Sequence, residues 1–356
     1  MSGRERQAGI PDFASGSLDD EAEGGRTVST GRLPAADRVD ALLITAHDRY
    51  RGLDEGTVAD YIPSLGTADP ALFGISVCGV DGSVASAGDA AHRFSIQSIS
   101  KVFVFALVCQ AVGHATVSRM VGVNNTGLPF NSVMAIELHD GDPRNPMVNA
   151  GALATTSLVP GTTPAAKWTF IQDGLSGFAG HPLELDRGVY ESEAATNQRN
   201  LAIARLLESY GRIGFEPIQT TDVYTKQCSL LVSAEDLAVM AATLADGGVN
   251  PITRERVVDP AVCRDTLAVM ATSGLYEFSG DWLFEIGMPA KSGVSGGILT
   301  VAPGKGGLGT YSPRLDPAGN SVRGQRAARY LAGTLGLDIF ASAPYQPAPQ
   351  HAQEQP

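Results

Sequence analysis

The chain has 356 residues, 43% of them hydrophobic and 18% charged, enough to build a substantial core in one large domain or two ordinary ones. A formal net charge of -12 excludes a general nucleic-acid binder, because phosphate recognition needs a basic surface. No run of about 18 apolar residues occurs, which excludes a membrane-spanning helix.

Residues 1–36 mix glycine and serine with Arg4, Arg6, Asp19, Asp20, Glu21 and Glu23 and read as a disordered extension. They lack the apolar segment of a secretory signal, so a cytoplasmic location is expected. From Asp37 to Leu53 the apolar residues Val39, Leu42, Leu43 and Ala46 keep helical spacing. Residues 73–80 predict a strand, Asp81-Gly82 a hairpin turn, and 83–86 its return. Residues 102–108, all apolar, predict a buried helix, and 196–211 a second helix ending near Gly211. Ser233 is placed to cap a helix from Ala234 to Ala245 that Gly247 stops. Two strands at 296–301 and 306–311 and a closing helix at 323–335 follow, then a Pro-, Gln- and Ala-rich tail over 341–356. Strands near both ends with helices between predict one antiparallel sheet assembled from the two ends of the chain, plus a helical insertion.

Cys78, Cys109, Cys228 and Cys263 lie far apart with no CxxC spacing and predict buried free thiols. The six histidines show no HxH or HxxxH grouping, so neither a metal nor a cofactor is expected. Chemistry is carried instead by Ser98-Ile99-Ser100-Lys101. A helix starting there puts the Lys101 amine on the same face as the Ser98 hydroxyl, one turn away. It also sets Ser98 near free backbone N–H groups that favour negative charge. A serine can thus be activated without histidine. The chain has only five lysines, and Lys101 alone has a serine three residues before it. For Lys101 to act as base its pKa must fall from about 10.4, by burial and by a second cation, for which Lys291 is the candidate.

Lys291-Ser292-Gly293 comes about 190 residues later, with glycines that let backbone approach a ligand closely. Ser-x-x-Lys followed by Lys-Ser-Gly is the motif order of serine acyl-transfer enzymes of the penicillin-recognising type. A β-lactamase or peptidase on that fold is disfavoured by the missing export signal and by Tyr224-Thr225-Lys226 where Tyr-x-Asn is usual. A binding module without chemistry has no need for Ser98, Lys101 and Lys291 together.

Between the two motifs stand Asn145–Ala152, Glu193–Asn200 and Tyr224–Ser229, with Gly274–Gly280 following. With these the chain resembles the serine-dependent glutaminases from about residue 40 to 335. The resemblance implies an α/β (α+β) fold of the β-lactamase/transpeptidase type, an antiparallel sheet flanked by helices with a helical subdomain, over residues 37–340. It implies hydrolysis of L-glutamine through a glutamyl-serine, with Ser98, Lys101, Tyr224 and Lys291 catalytic. Ser98, Asn149, Glu193, Asn200, Tyr224, Tyr276 and Val294 are its implied substrate contacts, with oxyanion stabilisation by the Ser98 and Val294 N–H groups. Glu193 suits the substrate ammonium, and Asn149 and Asn200 its carboxylate. The family also implies a homodimer or homotetramer. Residues 121–127, Val-Gly-Val-Asn-Asn-Thr-Gly, depart from the family pattern in a loop expected to lie outside the chemical motifs.

Overall fold

The computed structural model describes residues 31–342; the predicted extension up to residue 30 and the tail from 343 lie outside the described residues. Five strands form an antiparallel sheet in the spatial order Val84–Gly88, Gly74–Gly79, Gly306–Tyr311, Gly297–Ala302, Ala290–Ser292. The first two are the predicted hairpin, with Gly82 at the turn in the left-handed region (φ +86°). The strand 306–311 then pairs with both ends of the chain: Gly309 lies opposite Ser76 on one side and Leu299 on the other. The expectation of a sheet built from both ends therefore holds, and residues 100 to 286 form a mainly helical insertion that carries the short strand Leu231–Val232.

Each sheet face is covered by helices of the expected sequence. Ser233 caps the helix Ala234–Ala245 in a reciprocal capping box with Asp236. Its small residues Ala234, Ala238, Ala241 and Ala242 are buried against the sheet. Close approach demands glycine beneath them: a Cβ on Gly309 would lie 2.1 Å from the Ala234 carbonyl oxygen. The opposite face carries helices Ala36–Tyr50 and Val322–Leu335, which enclose a core of Leu43, Ile75, Val77, Ile298, Leu308 and Leu331. The predicted helix over 196–211 is cut at Asn197: one helix ends at Thr196 and the next runs Gln198–Ser209. Asn197 leaves helical geometry and donates from Nδ2 to Thr225 Oγ1 at 3.1 Å. That break turns Glu193 and Asn200 toward one cleft.

Two arginines, one in the strand Arg314–Leu315 and one at the start of the helix Val322–Leu335, fasten the segment 53–72. Buried Arg323 donates to the carbonyls of Leu53, Pro70 and Ala71 at 2.8, 3.0 and 3.2 Å. Arg314 donates to those of Asp54 and Gly56. All four cysteines are free and buried.

Replacing Gly309 by Ala overpacks the helix–sheet contact, which costs about 1–3 kcal/mol; the expected result is a lower urea midpoint with an unchanged m-value.

Candidate active site

The strand pair Phe94-Ser95 with Leu231-Val232 delivers the chain to a single 3-10 turn, Gln97–Ile99, that runs directly into the helix Ser100–Val112. Gln97 holds φ at +50°, a left-handed conformation that costs a non-glycine residue on the order of 1–2 kcal/mol. Such strain persists only where the surroundings over-determine it. Here Ile96 N–H donates to the Leu230 carbonyl on one side and a fully buried helix holds the other. Ser98 sits at the apex of this turn. Gln97 Nε2 donates to Ser95 Oγ at 3.3 Å and to Glu193 Oε2 at 3.4 Å, so the residue before the serine reaches across the cleft.

Lys101 is only 2% exposed. Its Nζ donates to Asn149 Oδ1 at 2.7 Å and to the Met147 carbonyl at 3.3 Å. Burial lowers its pKa to about 8, partly offset by Cys228 and Glu193. The expected depression is therefore present, but its cause is burial. Lys291, fully buried, is itself the group held down by its neighbour: its pKa falls well below the ordinary value through burial and then through the Lys101 charge. Lys291 Nζ donates to the Ser292 carbonyl at 2.9 Å and lies 4.2 Å from the Tyr276 ring centre.

Glu193 lies in the last turn of the helix Arg187–Thr196, almost wholly buried, and burial raises its carboxyl to about 7 against the opposing pull of Gln97 and Lys101. Asn149 opens the helix Asn149–Ser157 and donates from Nδ2 to Asn200 Oδ1 at 2.9 Å. The two asparagines and Lys101 thus form one chain of hydrogen bonds. The Tyr224 hydroxyl joins it, donating to Asn149 Oδ1 at 3.5 Å. Tyr276 stands beside Ser98, and its hydroxyl donates to the Ser292 carbonyl at 3.3 Å. Burial pushes Tyr276 up to about 12, and its backbone is a second left-handed non-glycine, at φ +57°.

These groups surround a cleft of about 290 Å³. Ser98, Asn149, Glu193, Asn200 and Val294 line it, whereas Lys101, Lys291, Tyr224 and Tyr276 are buried and do not line it. Eight further lining residues are not among the predicted site residues, Tyr61, Gln97, Phe130 and Arg199 among them. Tyr61 arrives on the arginine-clamped segment, a placement with no local sequence signal. No residue of the departing loop 121–127 lines the cleft; the chain reaches the cleft wall just beyond it at Phe130, whose carbonyl accepts from Asn149 N–H at 2.8 Å. Among the described residues no group of three His, Cys, Asp or Glu side chains could hold a metal.

A sheet covered by helices on both faces, with Ser-x-x-Lys at a helix entrance and Lys-Ser-Gly on the edge strand, places the chain in the class of β-lactamase-like folds. The family model described as glutaminase matches residues 56–340, and the chain belongs to the serine-dependent glutaminase family. It is 58% identical over 318 residues to "Glutaminase 2" of Yersinia pestis, covering 89% of this chain and 94% of that one. It is 46% identical over 303 residues to a glutaminase of Mycobacterium marinum, covering 85% and 95%. Among solved structures, "Probable glutaminase ybaS" superposes with a TM-score of 0.86 at 44% identity, over 87% of this chain and all of that one. "Probable glutaminase from Bacillus subtilis complexed with 6-diazo-5-oxo-L-norleucine" superposes at 0.78 with 35% identity, over 85% and 96%.

A lysine whose folded pKa lies below its unfolded one costs stability while protonated, and the penalty is relieved as pH rises from about 8 toward 10.5. Lys101→Met should therefore stabilise the fold at pH 7 by on the order of 2–3 kcal/mol; thermal unfolding of the two proteins checks the sign, and the gap should close above pH 10.

Proposed function

We propose that this glutaminase hydrolyses L-glutamine to L-glutamate and ammonia through an ester on Ser98. The observation that carries the reading is a cleft with Ser98 on its wall, Glu193 reached from the same turn through Gln97, and an amine buried one helical turn beyond the serine. Glu193 takes the substrate ammonium. The Asn149 and Asn200 amides, already ordered by each other, take the carboxylate, which leaves the side-chain amide at Ser98.

Neutral Lys101 is the base in this reading. A neutral amine has two N–H bonds, and Lys101 has two acceptors, Asn149 Oδ1 and the Met147 carbonyl; its lone pair is left for the Ser98 proton. The Ser98 oxygen bonds to the amide carbon as its proton passes to Lys101. The oxyanion is received by the Ser98 and Val294 backbone N–H groups, where losing one donor typically costs about 100- to 1000-fold. Lys101 returns the proton to the departing nitrogen, the C–N bond breaks, and ammonia leaves. Water then attacks the ester, its proton follows the same route, and the C–O bond to Ser98 breaks. Tyr276, beside Ser98, assists the transfer; Tyr224 positions Asn149. Lys291 brings no charge to the base but braces Tyr276 and the Ser292 carbonyl. Family membership supports a homodimer or homotetramer. No described helix is long and apolar enough to cross a membrane.

Ser98→Ala should abolish ammonia release, and undiminished release would overturn the assignment. The glutamine analogue of the Bacillus subtilis structure keeps the amino-acid head and replaces the amide by a diazoketone; it should label the peptide carrying Ser98, and mass spectrometry should find no label in Ser98→Ala. Tyr276→Phe is expected to lower kcat about 100-fold or more, within the span of general acid–base effects; Tyr224→Phe should act mainly on KM.

Glu193 must be ionised and Lys101 neutral, with pKa values of about 7 and about 8. The plot of log kcat/KM for glutamine should thus be flat above pH 8, rise with unit slope between 7 and 8, and steepen toward slope two below 7. Glu193→Gln should leave only the single break near 8, at a much higher KM.

A further inference from the structure

A second cavity, of about 210 Å³, lies between the helices Ser279–Ile286 and Val322–Leu335 and shares no lining residue with the catalytic cleft. Leu275, Trp282, Ile286 and Val322 give it apolar walls. Arg326, Glu55 and Asp281 also line it, and none of the three forms an ion pair with a described residue. Its remaining cation, Arg329, is already paired with Glu285 at 3.3 Å. A simple anion entering here would meet two uncompensated carboxylates, and a simple cation would meet the Arg326 guanidinium. A molecule carrying both charges on one end of an apolar body satisfies all three groups and the walls.

The cavity is backed by the two turns that shape the catalytic site. Leu275 immediately precedes Tyr276, whose left-handed backbone marks a turn held away from its relaxed conformation. Asp316, on the other wall, accepts from the Asn320 N–H at 3.0 Å. Asn320 Oδ1 in turn accepts from the Ser292 hydroxyl at 2.6 Å, beside Lys291, while Asn320 Nδ2 is buried with no partner. We propose that this cavity is a second binding site, for a zwitterionic amino acid with an apolar side chain, and that its occupation alters glutamine turnover through the Tyr276 and Asn320 turns. The second half rests on the role given to Tyr276 above.

Trp282 is one of only two tryptophans, so a Trp168→Phe protein reports on the cavity alone. Titration with L-leucine or L-phenylalanine should change its fluorescence saturably, also with L-glutamate saturating the catalytic cleft. N-acetyl-L-leucine and L-leucinamide, each lacking one charge, should bind about tenfold more weakly or worse, as should L-leucine to Arg326→Glu, whose melting temperature and basal glutaminase activity stay unchanged. Saturation should shift kcat or KM for glutamine by about fivefold in the unsubstituted enzyme and not in Arg326→Glu. No saturable change, a change abolished by glutamate, or full retention of binding in Arg326→Glu would overturn the site. Saturable binding with turnover unmoved would overturn the coupling. Loss of glutamine turnover itself would bear only on the catalytic reading, because the fluorescence titration does not use it.

Discussion

The contact on which the rest depends is the one between Lys101 Nζ and Asn149 Oδ1, 2.7 Å long and sealed from solvent. An ammonium held in an apolar interior without such partners is expensive enough that the group would discharge or the site would open. One carboxamide oxygen and one carbonyl are sufficient to keep the amine in place but leave it poised near pH 8 rather than fixed in the charged form. Every neighbouring feature follows from keeping that position. The helix behind it is apolar all round, Asn149 is ordered by Asn200 and Tyr224, and Glu193 sits far enough away to be coupled to Lys101 without neutralising it.

Charge in the cleft is distributed by burial more than by pairing. Lys101, Lys291 and Glu193 are all shifted toward their neutral forms, each with burial as the largest cause. Two cations close together are hard to keep charged in such surroundings, and the Lys101 charge adds to burial in holding Lys291 below its ordinary value. In the reading proposed above, Lys291 braces Tyr276 and the Lys-Ser-Gly turn. Around these groups the frame is tied by long-range contacts, including the arginine clamps of Arg314 and Arg323 on residues 53–72.

Local signals proved readable wherever a residue's own neighbours decide its conformation. The hairpin at Asp81-Gly82, the capping box at Ser233 and the two strands at 297–311 lie within a residue or two of their predicted places, and Ser98 and Lys101 occupy the helix entrance read from four residues. What was not readable depends on distant chain. Asn197 breaks a periodic helix because Thr225, 28 residues on, offers it a partner. Tyr61 enters the cleft because Arg323 and Arg314, more than 250 residues later, hold its segment. The approach of helix 234–245 to Gly309 was hidden for the same reason, since a glycine in a strand announces a close neighbour without saying which.

The two left-handed non-glycine residues of the site, Gln97 and Tyr276, show how this long-range frame reaches the chemistry. Neither residue type favours that backbone, so no sequence rule would place it there. Each flanks a reacting element: Gln97 forces the sharp turn that lifts Ser98 out of its helix, and Tyr276 turns its ring back over Lys291 to reach Ser98. The two turns are held by different parts of the molecule, one by the pairing of 94–95 with 231–232 and one by the loop packed against Asn320 and Ser292. Ser98 and Tyr276 therefore approach each other from two separately held turns, and small displacements between those turns fall first on that approach. A site built this way holds its nucleophile rigidly from one side and leaves its phenol answerable to whatever packs behind the 275–278 turn.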